Sequence, residues 1–198
     1  NTTFSGVTTN TLNIASVSVS MHGNKYRLVI ASACLPNIVS NTYILSVPEL
    51  VVTKNFQNVT CFSNANGSAS VVVSGGNAPY SYSWSTGATS NSINNLNVGT
   101  YTVLITDANG CKKSESFVIT QPTELVNTKT VKNISCFGLN NGEIKITTTG
   151  GVLPYTYLWL HNNATTSTLN GLSPGTYTVK VKDANNCEKT EVISITEP

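Results

Sequence analysis

From residue 49 onward, apolar and polar residues alternate in short runs punctuated by Gly, Pro, Asn, Asp and Ser. A period of two, broken by turn-forming residues, is the signature of β-strands with one buried face. The runs fall at 49–60, 68–74, 80–84, a looser stretch through Ile93 and Leu96, 99–106 and 116–120. Tyr80, Tyr82 and Trp84 occupy alternate positions, so their rings share the face that belongs to the core. Asn64-Ala65-Asn66-Gly67 turns the first strand into the second, and Gly75 to Pro79 ends the second. Asp107-Ala108-Asn109-Gly110 makes the last hairpin, where the glycine supplies a positive φ.

The same pattern then returns. Cys61-Phe62, Asn66-Gly67, Gly75-Gly76, Pro79-Tyr80, Tyr82 and Trp84 recur 75 positions later as Cys136-Phe137, Asn141-Gly142, Gly150-Gly151, Pro154-Tyr155, Tyr157 and Trp159. One inserted residue follows, and at an offset of 76 Leu96, Gly99-Thr100-Tyr101, Asp107-Ala108-Asn109 and Cys111 recur as Leu172, Gly175-Thr176-Tyr177, Asp183-Ala184-Asn185 and Cys187. Asn186 stands where the first copy has Gly110, the next best residue for a positive φ. Residues 49–122 and 123–198 are therefore a tandem array, which a single catalytic pocket does not account for.

Residues 1–48 lie outside the repeat and offer three strand candidates, 11–17, 25–30 and 42–47. Their order resembles the last three strands of a bacterial immunoglobulin-like domain, with Tyr26 at the corner-tyrosine position and Leu28 where that pattern carries cysteine. Three strands cannot bury both faces of a sandwich. The front half of this domain is expected upstream of Asn1, or its open face is covered by another copy of the chain through strand exchange. The expected fold class is all-β: tandem immunoglobulin-like β-sandwiches in a linear array, with domains at 1–48, 49–122 and 123–198.

Composition fits that class. Only 10% of residues are charged, and Thr, Ser, Asn, Val and Gly dominate, as β-branched strands and polar turns require. Residues 49–122 hold three Lys and three acids, residues 123–198 six of each, and Lys25 with Arg27 supply the net +2. No basic stripe marks a nucleic-acid partner. No apolar run approaches the ~20 residues of a membrane span, and no signal peptide opens the sequence.

Four pieces carry a more specific resemblance: Cys-Phe-x-x-x-Asn-Gly, Gly-Gly-x-x-Pro-Tyr-x-Tyr-x-Trp, Leu-x-x-Gly-Thr-Tyr-Thr-Val and Asp-Ala-Asn-Gly-Cys. All stand in order within 61–111 and again within 136–187, where Asn186 replaces the final glycine and Leu160-His161 follow the tryptophan. These units resemble the SprB repeats of Bacteroidetes surface proteins. The resemblance implies a long extracellular adhesin on the bacterial cell surface, including those carried along the cell in gliding motility, and export by the type IX secretion system.

In an exported protein, cysteines at repeating positions point to disulfides, and their spacing matches no zinc motif. Cys61 with Cys111 and Cys136 with Cys187 is the favoured pairing. Against it, the turns carrying each pair belong to opposite ends of an immunoglobulin-like sandwich, beyond the ~7 Å Cα separation a disulfide allows. A bond between units, Cys61 to Cys187, stays open. Cys34 has no obvious partner and is expected to pair within the missing part of its own domain or to stay buried and unpaired.

The remaining conspicuous residues read as structural. Trp84 and Trp159 on the third strand belong to the core, ahead of a sugar platform. Tyr101 and Tyr177 resemble corner tyrosines. Asp107 with Asn109, and Asp183 with Asn185, offer oxygens to calcium, but turn formation explains them and they fall short of the six to eight ligands calcium takes. No metal or other cofactor is expected. Asn58, Asn66, Asn133 and Asn163 stand in Asn-x-Ser/Thr sequences, read here as composition. Only His22 and His161 are imidazole bases, at no equivalent positions in the repeats, and no triad or phosphate loop is present. The expected role is a stapled spacer in an adhesin or filament, whose partners are neighbouring domains of the same long chain. The alternative is a polysaccharide-binding module that gains avidity by repetition.

Overall fold

The computed structural model describes residues 4–5, 11–14, 17–30 and 36–198. Among these, eighteen strands and one 3-10 turn (Val19–Met21) appear, with no α-helix. Among the described residues no helix is long and apolar enough to cross a membrane. Backbone contacts divide the chain into two units. The first comprises Asn1–Lys54, Val71–Asn91 and Thr102–Ser116, and the second Asn55–Ser70, Ser92–Tyr101 and Phe117–Pro198.

The amino-terminal segment consists of two-residue strands: β1 (Phe4–Ser5), β2 (Asn13–Ile14), β3 (Lys25–Tyr26), β4 (Val29–Ile30), β5 (Ile38–Val39) and β6 (Tyr43–Ile44). They form three antiparallel pairs, β1 with β2, β3 with β6 and β4 with β5. The continuous strand expected at 25–30 is instead two pieces with different partners, Lys25 opposite Ile44 and Val29 opposite Val39. The change of partner falls at Leu28. Its N–H donates to Ser40 Oγ at 2.8 Å, while the Ser40 N–H donates to the Leu28 carbonyl at 2.8 Å, so a side chain replaces one rung of the ladder. Ile38–Val39 is a strand that sequence reading missed, and Ala15 and Ser16 of the expected strand 11–17 lie outside the described residues. Ile30, Ile38, Tyr43 and Ile44 are exposed.

The first repeat contributes β7 (Val51–Gln57), β8 (Gly67–Ser74), β9 (Ser81–Trp84), β10 (Ser92–Leu96), β11 (Gly99–Thr106) and β12 (Lys112–Ile119). The second contributes β13 (Val126–Lys132), β14 (Gly142–Thr149), β15 (Thr156–Trp159), β16 (Thr168–Leu172), β17 (Gly175–Lys182) and β18 (Glu188–Ile195). In each, the first, second and fourth strands make one three-stranded sheet and the third, fifth and sixth make the other. That is an immunoglobulin-like strand order. The last strand of each repeat starts earlier than the expected 116–120, because the hairpin turn is only as long as the Asp-Ala-Asn-x-Cys motif.

The second repeat shows how alternation becomes a core. Ile144 and Ile146 of β14 and Leu169 and Leu172 of β16 face Trp159 of β15, Tyr177, Val179 and Val181 of β17, and Ile193 and Ile195 of β18. Thr176, Thr178 and Lys180 take the alternate positions of β17 and stay accessible. Each fully buried aliphatic side chain adds roughly 1.5–3 kcal/mol. The looseness of the fourth strand also has a cause. Its register shifts against β14 between Gly142 and Glu143, and Gly171 (φ 70°) takes up the extra residue, as Asn95 (φ 56°) does in the first repeat. The bulge keeps Leu169 and Leu172 on one face.

Two glycines with similar positive φ differ in the room around them. Gly150 has φ 75°, and a Cβ there would overlap the carbonyl of Glu124. Gly138 has a similar φ of 79° with nothing within 4 Å of the Cβ position. Gly150→Ala should therefore cost both left-handed strain and a backbone collision, about 2 kcal/mol or more, against about 1 kcal/mol for Gly138→Ala. Denaturant titration of the two variants beside the parent protein measures the difference; equal losses would refute the collision.

Candidate functional site at the inter-repeat clasp

The site is built around a buried carboxylate. Asp183 directly follows β17 and is 4% exposed. Its Oδ1 accepts the N–H groups of Asn185 (2.8 Å) and Cys187 (2.9 Å), and its Oδ2 accepts that of Val152 (2.9 Å). The first two bonds shape the hairpin turn, with Asn186 at φ 63°, and the third ties that turn to the Gly150-Gly151 loop. A Cβ on Gly151 would come within 2.7 Å of the carboxylate, which is why the motif needs its second glycine. Asp107 repeats the arrangement with Asn109 (2.9 Å), Cys111 (2.8 Å) and Asn77 (3.0 Å). These oxygens are occupied by backbone amides, so the calcium ligands considered above serve as turn acceptors. Among the described residues no group of three His, Cys, Asp or Glu side chains is placed to hold a metal ion.

Facing the Asp183 turn is the loop after β7. Asn66 accepts the Thr60 N–H through Oδ1 (3.0 Å) and its Nδ2 bonds Thr60 Oγ1 (2.6 Å), which folds 60–66 into a closed loop. The adjoining Gly67 is fixed because a Cβ would sit 2.8 Å from Ile119 Cγ2. This loop presents the Thr60 carbonyl and Cys61. Asn185 Nδ2 donates to that carbonyl at 2.9 Å, and Cys187 Sγ lies 3.4 Å from the same oxygen. A disulfide joins Cys61 to Cys187 with a Cα separation of 5.6 Å.

That bond corrects the favoured pairing of Cys61 with Cys111 and Cys136 with Cys187: Cys111 and Cys136 are free and exposed. The reason is visible in the second repeat. Cys187 immediately precedes β18, whereas the Cys136 loop is held at the far end of that strand, where Gly138 N–H donates to Glu197 Oε2 at 3.1 Å. The eight residues of β18 separate the two sites by roughly 25 Å, several times the reach of a disulfide. Strand β12 lies between the corresponding positions of the first repeat. Cys34 lies outside the described residues.

An open cleft of about 420 Å³ borders the clasp, lined by residues that include Phe62, Pro122, Leu125, Gly151 and Asp183. Its rim is charged. Glu124 pairs with Lys189 at 3.2 Å, and Glu188 is held below the usual carboxylate range chiefly by its bond to Lys180, then by Lys182.

The aromatic residues singled out from sequence lie elsewhere. Trp84 and Trp159 are buried, and their indole N–H groups donate to the carbonyls of Ser90 (2.8 Å) and Thr166 (2.9 Å). Tyr101 and Tyr177 each donate a hydroxyl to the carbonyl four residues upstream, Asn97 (3.1 Å) and Ser173 (2.9 Å). This is the bond of a corner tyrosine. Tyr26 is half-buried in β3, opposite Tyr43. His161 packs edge-on against Tyr177 at 4.8 Å, and His22 Nδ1 accepts the Val47 N–H at 3.0 Å. Asn58 and Asn133 use their side-chain oxygens to accept the N–H groups of Thr120 and Thr196.

The SprB repeat family model matches the chain twice, at residues 53–89 and 128–164. No curated protein matches it. Among solved structures, the chain is similar to the three N-terminal domains of the bacteriophage RB49 highly immunogenic outer capsid protein (Hoc). The two are 16% identical over 76% of this chain and 59% of that one, with a TM-score of 0.46. It is also similar to the N-terminal eight Ig domains of Down Syndrome Cell Adhesion Molecule isoform 1.30.30, at 13% identity over 94% of this chain and 30% of that one, with a TM-score of 0.46. The chain spans less than two thirds of either structure. Likeness at this level carries no argument; the strand order establishes the fold.

Two outcomes are expected. Peptide mapping without reduction should recover a Cys61–Cys187 crosslink, with Cys111 and Cys136 alkylated; a Cys136–Cys187 peptide would contradict the geometry. The second concerns Asp107, whose carboxyl is held below the usual range by the N–H of Asn77 foremost, then those of Cys111 and Asn109, against the opposing effect of burial. A depressed folded-state pKa gives stability that is full above the unfolded value of about 3.9 and is lost as pH falls through the folded value. Asp107→Asn should thus destabilise at pH 7, and the gap to the parent should close as the pH falls past the unfolded-state value and through the lower folded-state one. A gap constant with pH in denaturant titrations would remove the carboxylate from this role.

Proposed function

We propose that the chain, which the SprB repeat family model matches over residues 53–89 and 128–164, is a structural segment of a long cell-surface adhesin or filament in which each repeat is a rigid spacer. In this reading the repeat units run over 49–122 and 123–198, residues 1–48 close an immunoglobulin-like domain, and the parent protein is exported by the type IX pathway to serve adhesion, including gliding. The partners are neighbouring domains of the same chain.

The observation that supports it most is the Cys61–Cys187 bond, which closes a loop of 126 residues. By chain-entropy reasoning a loop of that length stabilises the folded state by about 5 kcal/mol, comparable to the whole stability of a small domain. Its mechanical consequence is larger. When the termini are pulled apart, tension passes from Cys61 to Cys187 through the sulfur atoms, and the intervening chain carries none of it. At ~3.4 Å per residue, about 430 Å of chain is withheld from extension. Buried acyl-transfer or acid/base machinery would have no use for such a loop, whereas a spacer that must hold its length does. The burial of both indoles supports the same reading over a polysaccharide-binding module, which needs them as an exposed stacking platform.

Single-molecule stretching tests it. The oxidised chain should lack about 430 Å of the contour length that dithiothreitol releases. Equal contour lengths under both conditions would sink the spacer reading. So would saturable binding on a glycan array that is lost in Trp84→Ala without loss of fold.

A further inference from the structure

The clasp is directional: the first cysteine of one repeat bonds the second cysteine of the next. Each repeat therefore owns two half-sites of opposite kind, and in the second repeat one of them is unfilled. Cys136 is the counterpart of Cys61 and is free and exposed. Its surroundings copy those of Cys61. Asn141 accepts the Ser135 N–H (3.2 Å) and bonds Ser135 Oγ (2.8 Å), as Asn66 does for Thr60. Leu139 N–H donates to the Cys136 carbonyl at 3.2 Å, as Asn64 does to Cys61. Gly138 (φ 79°) takes the left-handed position of Ser63 (φ 59°). Ser135 thus presents its carbonyl where Thr60 receives Asn185.

A second observation concerns the ring beside each cysteine. Phe62 lines the cleft beside the formed clasp and is 44% exposed, whereas its counterpart Phe137 is 81% exposed. The ring is thus more exposed on the loop whose cysteine is free than on the loop that carries the seated turn. The occupant that fits is the one already seated on the sister loop: an Asp-Ala-Asn-x-Cys turn, with the asparagine for the Ser135 carbonyl and the cysteine for Cys136.

We propose that the Cys136–Phe137 loop is a covalent docking site for the Asp-Ala-Asn-x-Cys turn of a following SprB repeat, so that disulfides run from each repeat to the next as a ladder. Bond formation oxidises both thiols: two electrons pass to a low-molecular-weight disulfide, which is reduced to two thiols and takes up the two protons. The proposal concerns the joint and holds whether the repeats are spacers or binding modules; its readout is chemical and independent of adhesion.

The test extends the full chain after Pro198 with a second copy of residues 123–198, in a Cys34→Ser background, under a glutathione redox buffer. Non-reducing peptide mapping should find Cys136 bonded to the appended counterpart of Cys187, in a monomer, with alkylation of Cys136 slowed at least tenfold relative to the unextended chain. A second extension, carrying a copy of residues 49–122 with its own core and the counterpart of Cys111, should do the same, which separates misfolding of one appended unit from failure of the site. Cys136 alkylated at its original rate in both extensions, or bonded to Cys111 or to another molecule, overturns the proposal.

Discussion

The buried carboxylate at the end of the fifth strand of each repeat is the constraint from which the rest follows. Asp183 has two oxygens and three backbone donors, drawn from two loops that are far apart in sequence. A side-chain acceptor buried at a turn must be satisfied by N–H groups or it destabilises the fold. Meeting that demand fixes three things together. The Gly-Gly loop is drawn over the hairpin, which excludes a Cβ at Gly151. The turn is pinned in the conformation that needs a left-handed residue at Asn186. Asn185 and Cys187 are then presented outward, their backbones engaged and their side chains directed to Thr60 and Cys61. The acid that the sequence assigns to turn formation is also the part that makes the clasp possible.

Much of this was legible in the sequence because it is local. Alternation along 99–106 and the ring spacing at Tyr80, Tyr82 and Trp84 located strands and their inward faces, and Gly110 and Asn186 declared the hairpin. The landmarks of the repeat were visible as well, but their purpose was not. Asn66 and Asn141 close a loop on residues six positions back, Gly67 and Gly142 yield to an isoleucine from the opposite sheet, and Asp107 reaches Asn77 across thirty residues. Such contacts depend on how the sheets stack, which composition and periodicity do not encode. The amino-terminal segment failed for a different reason. Runs such as 25–30 look like single strands, yet Ser40 intercepts Leu28 and divides the run between two partners.

The cysteine pattern is the clearest case of a motif that a single domain cannot explain. A sandwich has two ends, and a strand of eight residues keeps them roughly 25 Å apart. One cysteine at each end is useless to that domain, since neither reaches the other. It becomes useful only in tandem, where the leading end of one repeat meets the trailing end of its neighbour. Selection for a stable individual unit would place both cysteines at one end; the arrangement here favours the joint over the domain. It also couples stabilities. Independent units unfold independently, with the weakest setting the response, whereas a cross-link between two units restricts the unfolded chain and so lowers the entropy gained when either unfolds. The duplication is thus more than two copies of one fold: the second copy brings to Cys61 a turn cysteine whose counterpart in the first copy, Cys111, stands beyond its reach.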